Sequence, residues 1–153
     1  MSWPTTDELD DLVARFGDRT LPKVEWTHRA HLAVGTWHVH RHGPARALEL
    51  LRGGITRLNE AHGTVNDDNG GYHETVTRAY VQLLSAFVAS RAGRSAAECA
   101  QTLLASPLAA KKALLTYYSA KKLMSVAARR GWVEPDIAPL GPSETGARPS
   151  GPA

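Results

Sequence analysis

Apolar residues along this chain recur at three- and four-residue spacings, and neither strict alternation nor β-branched runs interrupt them. That period predicts helices rather than strands. Leu9, Leu12 and Val13 follow Thr5 and Glu8, which have capping-box spacing, so a first helix is expected from about Thr6 to Phe16, ended by Gly17. Thr27 is the expected N-cap of a second helix that runs to about Arg41. Gly43-Pro44 stops it, and Pro44 starts a third that carries Leu48, Leu51, Ile55 and Leu58 to about His62. Turn residues between Gly63 and Gly71 precede a fourth helix, about Tyr72 to Arg91. Ser95 and Glu98 open a fifth that ends near Pro107, and a sixth is expected from about Leu108 to Arg130, closed at Gly131. The fold class read from this pattern is all-α, a single-domain helical bundle of about six helices.

At about 100 degrees per residue, His28, His31, Gly35, His38 and His42 share one arc of the second helix, beside Leu32 and Val39. These imidazoles are expected on the core side, whereas His40 falls with Arg29 and Thr36 on a polar face. Gly35, in the middle of the arc, leaves space for a ligand or another helix. His28 and His31 are one turn apart, but His31 and His38 are separated by about 10 Å of rise, so a single metal would take only the first pair. Trp26 at N′ is placed to staple onto His31 at N4, and such an apolar wall favours the neutral imidazole that binds metal or accepts a proton.

On the fourth helix His73 aligns with Val76, Thr77, Tyr80, Leu84 and Phe87, the face expected to be buried. Glu74 stands four residues before Arg78, the spacing of an ordinary intrahelical ion pair, although beside His73 at a helix start it is also a candidate to tilt inward. Tyr117, Tyr118, Lys121 and Ser125 share a broad face of the last helix. The many Lys and Arg side chains there read better as a solvated surface than as catalytic groups.

Composition narrows this further. The 153 residues, 42% hydrophobic and 22% charged, match one soluble globular domain, expected over residues 1–138. Pro139 to Ala153, rich in Gly, Pro and Ser, is expected to be a disordered tail. No apolar run reaches the roughly 18 residues of a membrane span, and Met1 to Asp10 is acidic, so a cytoplasmic protein without a membrane partner is expected. The formal charge of +3 is too weak to argue for nucleic acid. One cysteine, Cys99, excludes an internal disulfide and a cysteine-rich zinc site, which leaves His and carboxylates as metal ligands. Of the 7 His, five lie between His28 and His42.

Two local motifs fail. A calcium loop with Gly70 at its glycine position would need ligands at Val65 and Val76, and His28-x-x-His31 lacks the spacing of a zinc protease. No Gly-rich phosphate loop calls for a nucleotide cofactor.

The segments Glu25-Trp26-Thr27-His28-Arg29-Ala30-His31-Leu32 and Tyr72-His73-Glu74-Thr75-Val76-Thr77-Arg78, with Tyr117-Tyr118-Ser119 and Trp132-Val133-Glu134-Pro135-Asp136, spread over most of the chain expected to be ordered. Together they resemble an uncharacterised family of small all-helical bacterial proteins. The resemblance implies that the Trp-Thr-His-x-x-His and Tyr-His-Glu-Thr-x-Thr segments belong to one signature. It attaches no reaction, cofactor or partner.

Three functions compete at this level. The first is a small-molecule enzyme with a pocket between the second and fourth helices. There His28, His31 and His73 would hold a divalent metal such as zinc, iron or manganese, and the metal would activate water or polarise a substrate. Its expected catalytic set is His31, His73, Glu74, Thr77 and Tyr80. The second keeps the pocket without a metal, with His31 and His73 as acid and base for an isomerisation, cyclisation or condensation, for example in natural-product metabolism. The third is a non-catalytic ligand-binding or structural helical protein. Homodimerisation, through the last helix or the third-helix stripe, is open in each case.

Overall fold

A computed structural model describes residues 2–141, in which every regular element is a helix. Helix α1 (Thr6–Gly17) begins with the expected capping box: the Thr5 side chain accepts from the Glu8 N–H, and the Glu8 side chain accepts from the Thr5 N–H. Its stripe of Leu9, Leu12 and Phe16 is buried.

Helix α2 (His28–Ala61) is capped by the Thr27 side chain, which accepts from the Ala30 N–H. It is helical in name over its whole length but breaks at Gly43, where φ is 77° and ψ is 170°. The second and third helices expected from the sequence are therefore the two halves of α2, and Pro44 begins the second half without an N–H to leave unsatisfied. Gly35 and Leu51 line the same cavity. An unbroken helix would hold residues sixteen apart about 24 Å from one another, so the chain reverses between them. The halves thus form a hairpin, and Gly43 is its turn.

Helix α3 (Glu74–Ala89) packs along this hairpin, and α4 (Ala96–Leu104) closes it from another side after a second capping box at Ser95 and Glu98. The main core joins Leu9, Leu12 and Phe16 of α1 to Leu32, Val34, Leu51 and Leu58 of α2, Leu84 of α3 and Leu103 of α4. A smaller core gathers Ala79 and Leu83 with Leu114, Tyr118, Leu123 and Leu140.

The long last helix expected from Leu108 to Arg130 does not form. Two short 3₁₀ turns, Pro107–Ala109 and Ala113–Thr116, are followed by α5 (Ala120–Leu123) and α6 (Val126–Arg130). The cause is serine chemistry: the Ser119 and Ser125 hydroxyls accept the N–H groups of Lys122 and Ala128, each starting a new turn instead of extending the previous one. The Asp136 carboxylate pins the first break, accepting from the Ser119 N–H at 2.8 Å and hydroxyl at 2.7 Å. Nearby, the buried Tyr118 donates its hydroxyl to the Val133 carbonyl at 2.8 Å, and the Tyr117 carbonyl accepts from the Ile137 N–H at 2.9 Å. Residues 132–138 therefore lie as a strap over this end of the molecule. The ordered fold also extends past the boundary expected at residue 138, because Leu140 is buried in the smaller core. The rest of the expected tail, from residue 142, lies outside the described residues.

No helix among the described residues is long and apolar enough to cross a membrane.

The backbone at Gly43 lies in a region that side chains with a Cβ strongly disfavour. Gly43→Ala is therefore expected to lower the unfolding free energy by roughly 1–3 kcal/mol in urea denaturation, although the position has open space around it. A change below a few tenths of a kcal/mol would contradict the turn described here.

Candidate functional site

Between the α2 hairpin and α3 lies a chamber of about 280 Å³. Its walls are mostly aliphatic, with Leu32 and Gly35 from the first half of α2, Leu51 and Ile55 from the second, and Val76, Val81 and Leu84 from α3. Gly35 serves both purposes expected of it: it borders the chamber, and a Cβ there would come within 2.9 Å of the Leu84 side chain. Five side chains with polar groups complete the lining: Trp26, His28, His31, Thr77 and Tyr80.

The N-terminus of α2 sets His31. Trp26 and His31 stack with ring centroids 3.7 Å apart, the contact expected of an N′–N4 staple, and Phe16 backs the indole at 5.3 Å. His31 Nδ1 lies 2.7 Å from the Thr27 carbonyl oxygen. A carbonyl only accepts, so Nδ1 carries the hydrogen and Nε2 keeps its lone pair. Burial of the ring against this wall outweighs the Thr27 hydrogen bond and pushes the pKa down to about 4. The imidazole is neutral at pH 7, and the residue as a whole remains exposed.

Two other lining residues carry an unmet demand. The Trp26 indole N–H and His28 Nε2 are buried without a hydrogen-bond partner among the described residues. A buried polar group left unpaired costs about 1–3 kcal/mol. The His28 ring stands edge-on to Tyr80 at 6.3 Å. Burial raises the Tyr80 pKa above its ordinary value, so the phenol keeps its proton at neutral pH. Thr77 reaches the chamber, although its hydroxyl donates to the His73 carbonyl at 2.9 Å.

His73 and Glu74 are placed differently from the expectation. His73 is the N-cap of α3, its Nδ1 accepting from the Val76 N–H at 3.1 Å, while its Nε2 donates to the Leu123 carbonyl at 2.8 Å. Both nitrogens are spent on structure, and the ring does not line the chamber. Among the described residues no three His, Cys, Asp or Glu side chains gather as a ligand set, so the residues present do not fit a centre made by His28, His31 and His73. Glu74 is buried on another face, paired not with Arg78 but with Arg52, whose Nε donates to it at 2.9 Å, and with the Tyr72 hydroxyl at 2.7 Å. Burial pushes its pKa up, but Arg52 and Tyr72 outweigh that and hold the carboxyl below its usual range.

The remaining histidines of the arc, His38 and His42, do not line the chamber, and their ring centroids lie 6.2 Å apart. His38 is buried with Nδ1 donating to the Val34 carbonyl at 2.8 Å, next to Phe16 and Trp37. The exposed His40 reaches the Arg94 carbonyl at 2.8 Å. Tyr117, Tyr118 and Lys121 do not line the chamber. Sequence reasoning missed the Trp26 N–H as a polar group of the site, having read the residue only as an apolar wall. A buried indole always raises the question of where its N–H goes, and that was the available signal.

No family model, curated protein or solved structure matches this chain.

The His31 shift has a thermodynamic consequence. Between about 4 and the ordinary 6.5 the unfolded chain binds a proton that the folded imidazole refuses. This contribution to stability is complete above pH 6.5 and is lost as pH falls toward 4. The urea midpoint of His31→Gln is expected to decline less over that window than that of the wild type. Parallel declines would contradict the lowered His31 pKa.

Proposed function

We propose that this protein is a metal-free small-molecule enzyme that moves a proton on a largely apolar substrate held in the chamber between α2 and α3. One observation carries this reading. A mostly aliphatic cavity is bordered by a neutral imidazole with a free Nε2 lone pair, and by an indole N–H and a second imidazole nitrogen that are buried without partners. Small-molecule sites have this composition, an apolar lining with a few polar groups that fix orientation.

In this mechanism the aliphatic walls exclude water from the substrate body. His31 Nε2 accepts a proton from a carbon or hydroxyl of the substrate, and Nδ1–H stays tied to the Thr27 carbonyl, which fixes the ring plane. The protonated Tyr80 phenol and the Trp26 N–H are the available donors for an oxygen on which negative charge develops. The imidazolium then returns its proton at the same or another position of the substrate, so an isomerisation balances without a co-reactant. His73 acts only as a cap that starts α3 and thereby orients Thr77 and Tyr80.

The test is deuterium transfer. The protein is incubated in D₂O with an extract of apolar metabolites, and mass spectrometry follows label incorporation. Wild type is expected to label at least one compound. His31→Gln should reduce the rate about 100-fold or more, the usual scale of general acid–base catalysis. His40→Gln, outside the chamber, should leave it unchanged. Full activity in His31→Gln, or no labelling by wild type, would overturn the proposal.

A further inference from the structure

The chamber does not end at its aliphatic walls. A second hollow of about 440 Å³ adjoins it and shares Trp26, His31, Ile55, Val76 and Thr77, so the stacked Trp26–His31 pair stands where the two meet. The linings differ sharply in character. The second hollow adds Lys23, Asn59, His62, Thr64, Gly71, Tyr72 and His73, whose two ring nitrogens are both hydrogen-bonded. Lys23 is the one formally charged side chain among the lining residues, it is exposed, and it forms no salt bridge among the described residues. No carboxylate lines the hollow. His62 Nε2 donates to the Leu21 carbonyl at 2.7 Å, so that ring also adds no negative charge.

We propose that the ligand of this site is an amphipathic anion, a carboxylate with an apolar body of about nine heavy atoms, its tail in the chamber and its head group beside Lys23. The inference rests on the reading of the chamber as a small-molecule site and names the class of molecule that fits it. The size follows from the chamber volume of about 280 Å³, taking roughly 30 Å³ for each water-sized group. The sign of the head group follows from a lining that holds one unpaired ammonium and no acid. An alcohol of the same length would bring no opposite charge to that exposed ammonium, and an amine would oppose it.

The arrangement also serves the chemistry. An imidazole with its pKa near 4 is a weak base at neutral pH, and general bases work best when their pKa is close to the working pH. A carboxylate beside Lys23, in the hollow that His31 also lines, would favour the imidazolium form and raise that value. The anion therefore brings with it the charge that makes His31 a competent proton acceptor, and a neutral molecule of the same shape would not.

Titration calorimetry with octanoate and octanol on the full chain tests this, using wild type, Lys23→Glu and Ile55→Trp, each checked for unchanged helicity and melting. Wild type is expected to bind octanoate about ten-fold more tightly than octanol, the effect of one charge-assisted contact. Lys23→Glu should remove that preference and leave octanol binding as it was. Ile55→Trp, which fills the shared wall, should weaken both. Equal affinities for octanoate and octanol, or equal losses for both in Lys23→Glu, would overturn the head-group assignment while the chamber stands as a binding site. If wild type bound neither, the chamber reading would fall together with it.

Discussion

Everything in this molecule depends on one reversal of direction at Gly43. The half of α2 that precedes it carries His28, His31 and Gly35, with Trp26 just ahead of its cap, and the half that follows carries Leu51 and Ile55. A side chain at position 43 that forced ordinary backbone angles would send the second half away from the first and leave α3 only one wall to pack against. With the turn in place, three helical segments enclose a space that no single pair of them would make. The aromatic contacts of Phe16 with both Trp26 and His38 then fasten α1 to the same hairpin.

The chamber sets local electrostatics against stability. Dry aliphatic walls are the cheapest surroundings for a fold, yet this one admits an indole N–H, two imidazoles and a phenol among them. Proteins depart from consistent local rules mainly where a function requires it. Outside the chamber, Thr75 donates its hydroxyl to the Gly131 carbonyl and accepts from the Val133 N–H, and Glu74 is clasped by Arg52 and Tyr72, while the Ser85 hydroxyl is buried without a partner among the described residues. Of the three buried side-chain polar atoms without partners among the described residues, two, the Trp26 indole nitrogen and His28 Nε2, belong to residues that line this one cavity.

Much of this was legible in the sequence, for reasons that differ by region. Capping boxes at Thr5 and Ser95, the Thr27 cap and the Gly43-Pro44 break are local signals, so the first four helical segments follow from residue type and spacing. The face of α3 was also readable, since Val76, Thr77, Tyr80 and Leu84 do border one cavity. The C-terminal third was not. Its helical periodicity survives in composition, but local caps at Ser119 and Ser125 divide it, and the first break is pinned by Asp136, 17 positions from Ser119. His73 shows a different limit. A wheel gives direction but not hydrogen-bond partners, and the Leu123 carbonyl that occupies its Nε2 comes from a distant turn. Arg52 was hidden for the same reason, its carboxylate partner lying 22 residues ahead.

The Thr27 carbonyl that fixes the His31 ring also receives the His31 backbone N–H at 2.9 Å, so a single oxygen at the very start of α2 holds both the first turn of the helix and the orientation of the imidazole. Helix ends open and close more readily than their middles. Each fraying of that turn releases the ring, and the aim of Nε2 is therefore only as steady as the helix terminus. Binding a ligand against Trp26 and His31 would quiet both at once, so tightness of binding and accuracy of proton transfer would rise together.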